Sequence, residues 1–68
     1  MSTPDMRGEI YRGWLLVPFA AEDAYFYEFH TPEGYRNINL QPFNSPEEAL
    51  AYGRDEVDKL IEIFEQAA

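Results

Sequence analysis

Apolar residues in the last third of the chain recur at helical spacing. Advancing about 100° per residue, Leu50, Gly53, Val57, Leu60, Ile61, Phe64 and Ala68 fall on one stripe, with Ala49 and Ile63 at its flank. Glu47, Asp55, Asp58, Glu62 and Glu65 lie on the opposite side. The pattern predicts one amphipathic helix over residues 45–68. Its start is written locally: Ser45 can accept from free backbone N–H groups, Pro46 sits where a missing N–H costs nothing, and Glu48 completes a Ser-x-x-Glu capping box. A helix of this length is marginal in water by itself and needs an apolar surface to lie on. The residues before it must supply that surface.

Residues 9–19 are rich in Tyr, Trp, Leu and Val and read as one long first strand, in which Pro18 demands an edge position or a strand end. Residues 24–30 form a second, aromatic strand, Thr31-Pro32-Glu33-Gly34 a turn, and residues 35–43 a third strand. Register follows from polarity: with Thr31 opposite Arg36, Phe29 faces Ile38 and Tyr27 faces Leu40, while His30, Glu28 and Phe26 pair with Asn37, Asn39 and Gln41 on the other side. A slip of one residue would set Phe29 against Asn37 and Glu28 against Ile38, mixing polar and apolar on both faces. A tight turn at Ala21-Glu22 sets Leu16 opposite Tyr27 and Trp14 opposite Phe29. The expected helix-facing core is therefore Trp14, Leu16, Tyr25, Tyr27, Phe29, Ile38 and Leu40 against Leu50, Val57, Leu60, Ile61 and Phe64, with Gly53 allowing close approach. The fold class expected is α+β: a three-stranded antiparallel β-meander packed on one C-terminal α-helix, forming a single domain over residues 9–68 behind a flexible arm at 1–8.

Sixty-eight residues without cysteine suit one small domain near the lower size at which a core suffices without metal or disulfide. The formal net charge of −8 is uneven: residues 1–44 carry three basic and six acidic groups, and the remainder two basic and seven acidic. Such a surface repels phosphate, so neither direct nucleic-acid binding nor an anionic membrane is expected. The longest apolar run, residues 14–21, is too short to span a bilayer, and no charged-then-apolar leader opens the chain; a soluble cytoplasmic protein is the expectation. His30 is the sole histidine and has no companion ligand at metal spacing. The carboxylate pairs Glu22-Asp23 and Glu47-Glu48 read as a polar turn and a dipole-favoured helix start. With no nucleophile or phosphate-cradling loop beside them, neither enzyme activity nor a cofactor is expected.

Tyr11-Arg12-Gly13, then Glu28-Phe29 before a Pro/Gly turn, then Phe43-Asn44-Ser45-Pro46-Glu47-Glu48-Ala49, resembles the plant AP2/ERF DNA-binding domain and, more loosely, the arm-binding domains of tyrosine recombinases. The resemblance spans roughly residues 11–52 and implies a three-stranded antiparallel sheet backed by a C-terminal helix. Those families read DNA with Arg and Trp on the open sheet face; the matching positions here carry Leu15, Val17, Glu28, His30, Asn37 and Asn39, so the likeness extends to architecture and not to the DNA contacts. On that face Leu15, Val17 and Phe26 would adjoin one another, bordered by Glu28, His30, Tyr35, Asn37, Asn39 and Gln41. A contiguous apolar patch with a polar rim suggests a surface for a protein partner or a second copy of the chain. The alternative is an acidic nucleic-acid mimic, in which Glu47, Asp55, Asp58, Glu62 and Glu65 occupy the basic surface of a nucleic-acid-binding protein.

Overall fold

The computed structural model of the chain describes residues 7–67. The arm expected over residues 1–8 falls, up to residue 6, outside the described residues, as does Ala68 of the helical stripe. Four strands, β1 (Glu9–Tyr11), β2 (Trp14–Ala21), β3 (Ala24–His30) and β4 (Arg36–Phe43), precede the helix α1 (Pro46–Ala67). The strands form one antiparallel sheet in the order β1-β2-β3-β4. The architecture is α+β with an antiparallel sheet and one C-terminal helix, but the sheet has four strands where three were expected.

The extra strand arises because residues 9–19 do not run straight. Arg12 and Gly13 adopt φ of 52° and 87°, both left-handed, and the two-residue turn they make folds β1 back on β2, pairing Tyr11 with Trp14 and Glu9 with Leu16. Because β1 is three residues long, its ladder with β2 stops at the Glu9–Leu16 pair, short of Pro18. The proline therefore sits where no ladder donor is required, although it faces Tyr27 across β3 and is buried.

Both hairpin registers differ from expectation. The β2–β3 turn is Glu22-Asp23, with Glu22 at φ 55°, so Leu16 pairs with Phe29 and Pro18 with Tyr27. A shift of two residues along the ladder leaves each side chain on its expected face. The β3–β4 register is the rejected slip: Phe29 lies opposite Asn37, Glu28 opposite Ile38 and Tyr27 opposite Asn39. The loop decides it. Thr31 closes on Tyr35 through Thr31 N–H to Tyr35 O at 2.8 Å and Tyr35 N–H to Thr31 Oγ1 at 3.1 Å, leaving the three residues Pro32, Glu33 and Gly34 between them. Gly34 supplies the φ of 100° that such a loop requires. A loop one residue shorter than expected exchanges the faces of β4. The mixed pairing is tolerated because α1 lies over β2 and β3 and barely reaches β4.

Ile38 and Leu40 are consequently absent from the helix-side core and are 43% and 76% exposed. A bulge between Tyr25 and Tyr27 then brings Phe43 opposite Tyr25 and into the core instead. Trp14, Leu16, Tyr27, Phe43, Ala49 and Val57 are buried, with Tyr25, Phe29, Leu50, Tyr52, Leu60 and Ile61 packed around them. Tyr52, not on the expected stripe, sits 5.1 Å from the Phe43 ring and 6.3 Å from Tyr27. Phe64 stacks on Trp14 at 6.4 Å yet stays 58% exposed. Gly53 fulfils its expected role: a Cβ there would lie 3.2 Å from Leu16 Cδ2. Ser45 Oγ accepts from Glu48 N–H at 3.1 Å, as the capping pattern requires.

Candidate functional site

Strand alternation divides the sheet. Glu9, Tyr11, Trp14, Leu16, Tyr25, Tyr27 and Phe29 face α1, and their neighbours face away. The face opposite the helix collects Ile10 from β1, Leu15, Val17 and Phe19 from β2, Phe26, Glu28 and His30 from β3, and Arg36 and Ile38 from β4. These side chains form rows across the strands: Ile10 beside Leu15 and His30, Val17 beside Glu28 and Ile38, and Phe19 stacked on Phe26 at 5.6 Å. At one end Gly8 approaches so closely that a Cβ would lie 3.2 Å from both Leu15 Cδ1 and Val17 Cγ2 and 2.9 Å from Leu16 O. Only a residue without a side chain fits there.

Of the residues expected on this face, Leu15, Val17, Phe26, Glu28 and His30 are there. Asn37 and Asn39 are not: the register slip turns them to the helix side. Asn39 donates from Nδ2 to the Tyr27 hydroxyl at 3.1 Å and accepts from Gln41 N–H through Oδ1 at 2.8 Å. Asn37 Oδ1 accepts from Ile38 N–H at 2.9 Å. The two asparagines thus occupy backbone donors of the edge strand β4, which makes that edge a poor template for an added strand. Tyr35, 75% exposed, and Asn37 line a shallow cleft on the helix side with Trp14, Phe29, Leu60 and Phe64. In exchange the open face gains Ile10, Phe19 and Ile38. Arg12-Gly13 carried the signal for Ile10, since a turn there reverses the strand.

The polar groups of the face form a small cluster. Glu28 Oε2 lies 2.8 Å from His30 Nε2, and Glu28 Oε1 lies 3.5 Å from Arg36 Nε. His30 was expected beside Asn37; it sits beside Arg36 instead.

The acidic face of α1 is partly engaged. Asp58 accepts from the Tyr11 hydroxyl at 2.9 Å and from Arg12 Nη1 at 2.9 Å, while Glu9 takes a bidentate contact from Arg54 at 2.7 and 2.8 Å. Arg54 and Asp58, one helical turn apart on α1, are both turned to β1. The Arg12 guanidinium, then the Tyr11 hydroxyl, hold the Asp58 carboxyl below its ordinary range, and the Arg54 hydrogen bond does the same for Glu9. Glu47, Asp55, Glu62 and Glu65 are exposed. Among the described residues no group of three or more His, Cys, Asp or Glu could hold a metal, and no helix is long and apolar enough to cross a membrane.

Comparison of the chain with known protein families, with curated proteins and with solved structures finds no match.

Proposed function

We propose that this chain is a small interaction module that engages a protein through the open face of its sheet. One observation carries the reading: six apolar side chains from three hairpin-linked strands and the edge strand lie together on the face turned away from α1, and among them Ile10 is 69% and Ile38 43% exposed. Isolated exposed apolar groups are ordinary, whereas a contiguous patch bordered by a paired Glu28, His30 and Arg36 is typical of an interface. The acidic-mimic alternative has less support. A phosphate mimic needs its carboxylates free to meet a basic partner, and Asp58 at the centre of the row is already bound by Tyr11 and Arg12.

A photo-reactive phenylalanine derivative at Val17, and in a second variant at Asp55, tests the reading in the native cell. Protein adducts are expected from position 17 and not from 55, and they should persist at raised ionic strength because apolar contacts are not screened. Adducts from position 55 alone, lost in salt, would replace the sheet by the helix as the working surface.

A further inference from the structure

We infer that the occupant of the open sheet face is a second copy of this chain, packed sheet against sheet about a two-fold axis; this rests on the interaction reading above and names its partner. The charge distribution favours it. Of the thirteen acidic residues seven lie in α1, on the other side of the sheet, and among the described residues the open face carries one carboxylate, Glu28, flanked by His30 and Arg36. The face is thus close to neutral on a chain of net charge −8. Among the described residues it is a broad surface on which two such chains can meet without bringing like charges together. Sheets stack about 10 Å apart, and a helix adds a layer about 10 Å thick on each outer side, so the two acidic helices would lie about 30 Å apart, several times the screening length of about 8 Å at physiological salt.

Two further features point the same way. The outward donors Ile38 N–H and Gln41 N–H are taken by Asn37 and Asn39, which disfavours edge-to-edge pairing through β4 and leaves face-to-face packing. Arg36 Nε lies 3.5 Å from Glu28 Oε1 and the Arg36 side chain is 65% exposed, which suits it to reach the second copy's Glu28 across the axis. A two-fold arrangement makes that contact twice. A chain of 68 residues with one helix on one face gains in this way a second core for the same sheet.

Sedimentation of the wild-type chain from micromolar to millimolar concentration, alongside Val17→Glu, Ile38→Glu and Ile10→Lys, with circular dichroism on each, tests this. The wild type should reach twice the 7.9 kDa chain mass, and the variants should remain at 7.9 kDa with unchanged dichroism. Ile10, being on the short edge strand and largely exposed, guards against a variant that merely unfolds. Arg36→Glu should dissociate the dimer and Glu28→Arg combined with it should restore it. A wild type of 7.9 kDa at millimolar concentration overturns the inference; if its position 17 still cross-links to another protein, the interaction reading stands and only the identity of the partner is wrong. A dimer that survives all three face substitutions places the contact elsewhere and overturns the inference as well.

Discussion

Ser45 and Tyr27 show how much one side chain decides. Ser45 Oγ satisfies the Glu48 N–H at the start of α1, next to the buried Pro46 and Ala49. Ser45→Ala should cost about 1 kcal/mol, seen as a fall of about 4–8 °C in the thermal midpoint of a domain this size. An unchanged midpoint would mean that the helix does not depend on this cap. Tyr27 is fully buried beneath α1, and burial, aided by the nearby Glu56 and opposed by the Asn39 hydrogen bond, pushes its hydroxyl up to about 12. A phenol whose folded value is raised contributes stability that is complete below its ordinary value near 10 and is lost as pH rises through the folded value. Ultraviolet titration should therefore show one phenolate forming only near pH 12, accompanied by loss of dichroism, and that late step should vanish in Tyr27→Phe. A late phenolate that persists in Tyr27→Phe would assign it to another tyrosine.

At the scale of elements, β1 is a three-residue strand tied to α1 by polar contacts on one side and showing Ile10 to solvent on the other. Glu9–Arg54 and Tyr11/Arg12–Asp58 repeat at strand spacing against one turn of the helix. Both carboxyls are depressed in the folded chain, so their contribution is present above the ordinary carboxylate range near pH 4 and is lost as pH falls through the depressed values. On acidification the Ile10 and Tyr11 amide resonances should move toward unstructured positions before those of β2 and β3, and Asp58→Asn should loosen β1 already at neutral pH. Simultaneous loss of all strands would show that β1 is not a separate unit. The two faces of β2 make a second contrast. Leu16 is completely buried under Gly53, so Leu16→Glu should unfold the domain, whereas Leu15→Glu, one residue away on the open face, should leave the far-ultraviolet dichroism intact. The reverse outcome would overturn the strand assignment.

For the molecule as a whole, α1 carries seven of the thirteen acidic residues, and we propose that neither it nor the open sheet face anchors phosphates. Duplex DNA should migrate unretarded with micromolar protein at moderate salt, and a retarded band would restore the DNA-binding side of the AP2/ERF-like resemblance. The layered arrangement also explains why the proposed interaction surface is legible only in part from residue order. Leu15, Val17 and Phe26 are assigned to the open face by alternation alone, since they alternate with core positions Trp14, Leu16 and Tyr27. Ile38 and Asn37 are not, because the alternation of Asn-Ile-Asn-Leu-Gln favours the other register and the loop at residues 32–34 overrides it.

What the amino-acid sequence determines by itself is local. The cap at Ser45, the length and apolar face of α1, the close approach at Gly53, the aromatic strand β3 and the uneven charge all follow from side chains acting on their own turn or stripe. Tertiary structure decided the rest. The left-handed pair Arg12-Gly13 created a fourth strand because its short β1 could be clasped by Arg54 and Asp58, 45 to 47 residues further along the chain. The helix, narrower than the sheet, buried β2 and β3 and left β4 free to turn Ile38 outward and Asn39 inward to Tyr27, because a residue beyond the helix's reach is held by its loop and its hydrogen bonds and no longer by burial.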